Sequence, residues 1–179
     1  MVDYDKIKEL ALESGFTHIG DLDADLIELR TEVRDMCAEN KCKSYGKNWS
    51  CPPGCGTLSE CEDKIRKFKK GLILQTTGEL EDSFDFEAMT EINEAHGKAI
   101  ADFAKKIGGI YPEAMVLGAG ACTICKECTY PDEPCRFPDK MIASMEAYGI
   151  VVSDICSANN IPYYYGPNTL TYVGCVLID

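Results

Sequence analysis

Histidine is scarce in this chain: His18 and His96 are the only two, and they stand far apart. No His-Glu-x-x-His helix, Ser/His/Asp order or Walker phosphate loop can be drawn, so hydrolysis has no visible machinery. Positive charge is also short. The 18 Lys and Arg stand against 30 Asp and Glu, a net charge of −12. So acidic a chain repels phosphate backbones and anionic lipid, which argues against nucleic acid and membrane as partners and favours a basic docking face on another protein. Long apolar runs are missing as well. The longest, such as Gly71–Leu74 and Val173–Ile178, are strand-sized and too short to span a bilayer. Met1–Glu13 is studded with Lys and acidic residues where a signal peptide would carry an apolar core, so a reducing cytoplasmic setting is expected. No Pro-, Gly- or Ser-rich linker divides the 179 residues, a length that suits one domain with its own core.

Cysteine is what the chain has in excess, with 11 residues, far above ordinary usage. Four of them, Cys122, Cys125, Cys128 and Cys135, read C-T-I-C-K-E-C-T-Y-P-D-E-P-C-R-F-P. Three thiols at three-residue intervals can curl round one compact object, and the fourth follows seven residues later. A cubic iron–sulfur cluster takes four thiolates, and the bacterial ferredoxin run supplies three of them from one tight loop. In that run the fourth Cys serves another cluster; the longer spacing before Cys135 leaves slack to close the same one. Structural zinc more often takes two C-x2-C knuckles set well apart, so it is the alternative here, with disulfides or free thiols behind it.

A second group, Cys37, Cys42, Cys51, Cys55 and Cys61, is irregularly spaced. Pro52 and Pro53 fix the backbone beside Cys51, and a rigid loop keeps ligands in register. Cys61 falls in the first turn of a predicted helix, where exposed N–H groups favour a thiolate. Four of the five are expected to hold a second cluster, and spacing leaves open whether Cys55 or Cys61 completes it. Cys156 and Cys175 lie in helix and strand patterns and read as buried small hydrophobes.

Helix-like and strand-like segments alternate along the chain. Helices are predicted over Tyr4–Glu13, about Asp23–Met36, Thr57–Lys70 behind a capping box, a long stripe from Phe86 to Ile107, Lys140–Tyr148 and Val152–Asn159. Strands are predicted over Phe16–Asp21, Gly71–Thr77, Ala114–Leu117 and Thr171–Ile178. The alternation predicts an α/β fold: one domain, residues 1–179, with a small, mostly parallel sheet flanked by helices and two cysteine-rich metal-binding loops. Gly118-Ala-Gly120 lacks the third glycine of a dinucleotide site and reads as the turn before Cys122.

The order C-x4-C-x8-C-P-P, then T-L-x-E-C, C-x2-C-x2-C-x6-C-R-x-P, S-M-E-A-x-G and N-T-L-T-Y resembles a cysteine-rich family of "predicted metal-binding" proteins, domain-of-unknown-function family 2284, found mostly in anaerobic bacteria and archaea. The resemblance runs from about Arg34 to the C-terminus. It implies a cysteine-bound metal centre, with Cys37, Cys42, Cys51 and Cys61 matching the first group and Cys122, Cys125, Cys128 and Cys135 the second. Cys55 is extra to that pattern, and the family brings no established reaction.

The residues together predict an iron–sulfur metalloprotein with two [4Fe–4S] clusters acting in electron transfer to or from a redox protein partner. The cluster supplies the chemistry, and the protein tunes its potential through charge, burial and hydrogen bonds to sulfur. One rival is an enzyme with an open cluster iron, working in sulfur transfer or reductive chemistry. Another is a zinc-stabilised interaction module without redox activity. Whether the chain is an enzyme, and whether it forms a homo-oligomer, the sequence leaves open.

Overall fold

Asp3 accepts the Lys6 amide N–H, and a left-handed Gly15 closes the other end, so the first helix, α1, runs Tyr4–Ser14 with Ile7 and Ala11 buried. In the computed structural model, which describes residues 2–179, α1 is followed by strand β1 (His18–Asp23), a short 3-10 turn (Ala24–Leu26), and α2 (Thr31–Ala38). Next come α3 (Leu58–Ile65), β2 (Lys70–Glu79), α4 (Phe86–Gly108) and β3 (Met115–Leu117). A second 3-10 turn (Glu146–Tyr148), α5 (Val152–Ala158) and β4 (Thr169–Leu177) complete the order. The capping box predicted at Thr57 is formed: its hydroxyl accepts from the Glu60 amide, and Glu60 accepts from the Thr57 amide.

The strands pair in the order β1-β2-β4-β3, and every pairing is antiparallel. The α/β class stands, but the expected mostly parallel sheet is corrected. β2, α4 and β3 do form a crossover that leaves β2 and β3 pointing the same way, since both run antiparallel to β4. The C-terminal strand β4 then inserts between them, splitting the unit. The sequence pattern misled for a physical reason. β2 and β4 are central and covered on both faces, and such strands read as unbroken apolar runs whichever way their neighbours point.

Three predicted helices are also shorter than expected; the one predicted over Thr57–Lys70 stops at Ile65, because Lys70 already pairs in the sheet as the start of β2. Leu29 bridges Ile150 and the Arg30 amide donates to Gly149, so the chain between the 3-10 turn and α2 is drawn out straight. Ser144 bridges Gly118 in the same manner, and only Glu146–Tyr148 of the Lys140–Tyr148 helix coils.

Alternating residues of β2 and β4 feed two apolar layers. Leu72, Leu74 and Val176 pack with Ile7, Ala11, Phe103 and Ile107 of α1 and α4. On the opposite face Ile73, Val173, Cys175 and Leu177 pack with Cys55, Cys61, Ile65, Met145, Tyr148 and Ile155. The upstream cysteine loop joins this second layer through Cys55 and Cys61, while the downstream loop follows the edge strand β3. Among the described residues, no helix is long and apolar enough to cross a membrane.

Candidate metal centre

β3 ends at Leu117, and Gly118 is pinned by two backbone hydrogen bonds, to Ala143 at 2.9 Å and from Met145 at 3.0 Å. The chain then enters an irregular loop that carries Cys122, Cys125, Cys128 and Cys135. Local bonds fold this loop on itself: Thr129 Oγ1 donates to the Pro134 carbonyl at 2.9 Å, and Arg136 Nη1 to the Glu127 carbonyl at 2.8 Å. All four thiols consequently line one small cavity of about 20 Å³, with Trp49, Ser50 and Phe137 beside them. Each of the four side chains is half-buried. Burial raises the Cys122 thiol pKa, and the neighbouring Cys135, Cys125 and Cys128 push it in the same direction.

Of the five upstream cysteines, Cys61 lies against Arg34, and Cys37 and Cys55 also feel its charge. Cys37 projects from the last turn of α2, where burial raises its pKa and Cys42 and Cys51 add to the shift. Cys51 and Cys55 are buried in the Cys-Pro-Pro-Gly-Cys turn, and Cys61 is fully enclosed on α3. Gly54 is obligatory in that turn: a Cβ there would lie 2.6 Å from the Asn48 carbonyl oxygen and 3.0 Å from the Tyr130 ring. Cys61 Sγ lies 3.8 Å from the Cys55 carbonyl oxygen, and Cys55 Sγ 3.6 Å from that of Ala147. The interaction of the two neighbouring thiols holds the Cys55 pKa up and the Cys61 pKa down, and Arg34 favours the Cys61 thiolate further. Arg34 Nη2 lies 3.3 Å from Cys61 Sγ and 2.7 Å from the Gly56 carbonyl, while its buried Nε has no partner among the described residues.

The two groups touch through Ser50, which is 1% exposed. Its hydroxyl donates to Asn48 Oδ1 at 2.7 Å, lies 3.9 Å from Cys51 Sγ, and accepts the Cys122 amide N–H at 2.9 Å. A family model described as a predicted metal-binding protein matches residues 20–178. The chain belongs to that family, DUF2284. The match begins upstream of Arg34 and takes in all 11 cysteines. No curated protein matches the chain, and no solved structure does.

In this DUF2284 chain the donor set is that of a soft metal centre: thiols converge from two loops, with a cation beside one group. No group of three or more His, Cys, Asp or Glu among the described residues is arranged to hold a single metal ion. The cavity among the downstream thiols, at about 20 Å³, has room for about one water. Four thiols suit a metal centre by their donor chemistry rather than by the space now between them.

Trp49 joins the two loops from the side, donating from Nε1 to the Glu133 carbonyl at 3.1 Å and packing edge-on against Tyr130 at 4.9 Å. Arg34, Ser50 and Trp49 gain their roles from partners distant in sequence, a signal that spacing rules do not carry. Arg136 forms no ion pair among the described residues; its guanidinium instead braces its own loop. Glu146 forms none either. The residue is exposed, yet partial desolvation raises its carboxyl pKa.

Cys156 and Cys175 are enclosed in the core, with burial holding their thiols up to about 11 and about 12. His96 belongs to the other layer. It is 1% exposed, Nδ1 meets Thr76 Oγ1 at 2.9 Å, and burial lowers its pKa to about 4.

Proposed function

We propose that the chain is an iron–sulfur protein that carries electrons, with one [4Fe–4S] cluster held by Cys122, Cys125, Cys128 and Cys135. The observation that carries this reading is the convergence of those four half-buried thiols on one cavity, from a loop that its own Thr129 and Arg136 side chains fold back by bonding its carbonyls. A second cluster is assigned to Cys37, Cys42, Cys51 and Cys61. Cys61 is preferred over Cys55 because the neighbouring Cys55 and the Arg34 guanidinium at 3.3 Å lower its thiol pKa and so favour the thiolate, the form that binds metal.

When bound, such clusters supply one-electron redox chemistry, and the rest falls to the chain. The Cys61–Arg34 contact places a cation against one centre, which favours its reduced form. Elsewhere the net charge of −12 disfavours adding an electron, so a low potential is expected, and a redox protein with a basic face is the partner class that suits it. The Ser50 bridge keeps the two loops in register.

A second reading has its own observation. A cleft of about 570 Å³ is lined by Cys55 and Cys135, one from each group, and gives a small substrate a route to either centre. That geometry favours an enzyme with an iron open to substrate.

Anaerobic purification tests both. Brown protein with about eight iron and eight acid-labile sulfide per chain is expected for two cubic clusters. Colourless, zinc-loaded protein never exposed to air would refute the iron–sulfur assignment in favour of zinc-stabilised folding. An electron paramagnetic resonance signal of the reduced protein that shifts on adding a small thiol supports the open-iron enzyme, and an unmoved signal supports electron transfer alone.

A further inference from the structure

Between the two cysteine loops lies a cleft whose walls come from four parts of the fold. Ala104, Ile107 and Gly108 at the end of α4 form one side, and the edge strand β3 contributes Met115, Val116 and Leu117. The loops close the other sides with Trp49, Cys55 and Cys135, and Tyr148 lies beneath. At about 570 Å³ it falls in the size range of small-molecule sites, and its walls mix hydrocarbon, slightly the larger share, with polar surface.

Its charge pattern is simple. Lys64 is the only cation among the lining residues, and Asp139, on the downstream loop, is the only carboxylate. Lys64 is in no ion pair among the described residues. Its ammonium is nevertheless held in place: it donates to the Cys55 carbonyl at 3.5 Å and stands 5.8 Å above the Tyr148 ring. In a protein with 12 more acidic than basic charges, a positioned ammonium facing the cleft without a carboxylate partner is a ready-made counter-charge.

We propose that this cleft binds a small organic monoanion with a hydrocarbon body, its carboxylate on Lys64 and its apolar part against β3 and the end of α4. The groups that recognise the ligand, the Lys64 ammonium and the apolar side chains of β3 and α4, are not thiols, although Cys55 and Cys135 line the same cleft. It goes beyond the electron-transfer reading by adding a second binding partner beside both cysteine groups.

Isothermal titration with naphthoate, naphthamide and naphthylmethylammonium tests the proposal on the protein as purified, with its metal content measured separately. Naphthoate is expected to bind one per chain and the neutral amide at least ten-fold more weakly. Lys64→Gln should bring the two together. Ala104 and Gly108 lie one helical turn apart on the cleft wall, and a Cβ at Gly108 would meet nothing within 4 Å. Gly108→Phe therefore fills the cleft without crowding the core and should abolish naphthoate binding at unchanged circular dichroism and metal content; Ala104→Phe is the second filling variant. Equal affinity for acid and amide, tighter binding of the cation through Asp139, undiminished binding in both filled variants, or no naphthoate heat at millimolar concentration each overturns the assignment. Failure of the metal analysis alone would strike the iron–sulfur reading and leave this site standing.

Discussion

The amide N–H of Cys122 donates to the hydroxyl of Ser50 at 2.9 Å, across 72 residues of sequence. Ser50 in turn donates to Asn48 Oδ1, so a single buried hydroxyl fixes the first cysteine of one group beside the Cys51 turn of the other. Replacing it with Ala leaves the Cys122 amide without its partner, and the Asn48 oxygen with only the Ser50 amide N–H, in a nearly dry setting. Ser50→Ala is expected to cost about 1–3 kcal/mol of stability and to speed metal loss to a chelator. Denaturant unfolding and the chelation rate, measured together, check this; a chelation rate equal to the parent's would mean that the loops hold their metal independently.

Gly54 allows the Cys51–Cys55 turn to pass against the Asn48 carbonyl and the Tyr130 ring. The obstacle on one side is backbone, which cannot swing aside as a side chain can. Gly54→Ala should destabilise by on the order of 2 kcal/mol, the typical cost of forcing atoms into a packed region. The loss should be accompanied by weaker metal retention at both cysteine groups, because Tyr130 and Trp49 tie the turn to the downstream loop. Thermal melting and metal content of the variant give the two readings.

Much of the fold was legible because it is written locally. The stripe from Phe86 to Ile107, the Thr57 capping box and the Gly15 stop each act within a few residues, and the structure forms all three. What escaped is written across distance. Nothing near β4 announces that it inserts between β2 and β3, so the sheet was expected to be mostly parallel. Leu29 and Ser144 leave their predicted helices for partners at Ile150 and Gly118, where tertiary pairing outweighs helical spacing. The site divides along the same line. The even spacing of Cys122, Cys125 and Cys128 marks a shared centre by itself, whereas Arg34, 27 residues from Cys61, carries no local sign of its contact.

His96 connects folding to pH. Burial against Phe16 and Tyr172, with only Thr76 Oγ1 as a polar partner, lowers its pKa to about 4 from an ordinary 6.5. A lowered folded-state pKa means that the unfolded chain binds the extra proton first. The resulting stability is present above pH 6.5 and is lost as pH falls from 6.5 towards 4. The shift corresponds to about 3 kcal/mol. His96→Gln should flatten this part of the stability profile, read as urea midpoints at steps across the interval. An equally steep decline in the variant would assign the acid sensitivity to other groups.

Arg34 is the one cation placed against a candidate ligand sulfur, at 3.3 Å from Cys61 Sγ. Its other firm contact, to the Gly56 carbonyl at 2.7 Å, holds the guanidinium over the start of α3. Arg34→Met keeps a long apolar stem but removes the charge. In the metal-free chain the Cys61 thiol should then titrate at higher pH, although the neighbouring Cys55 will keep part of the lowering. Thiolate ultraviolet absorbance across a pH series, with Cys61→Ser in the same background to identify the group, measures the change. In the metal-loaded chain, loss of a cation beside one centre makes the reduced form less favourable, so one of two potentials should fall while the other, at Cys122–Cys135, stays put. A redox titration in which both potentials shift equally, or neither does, would detach Arg34 from the first centre.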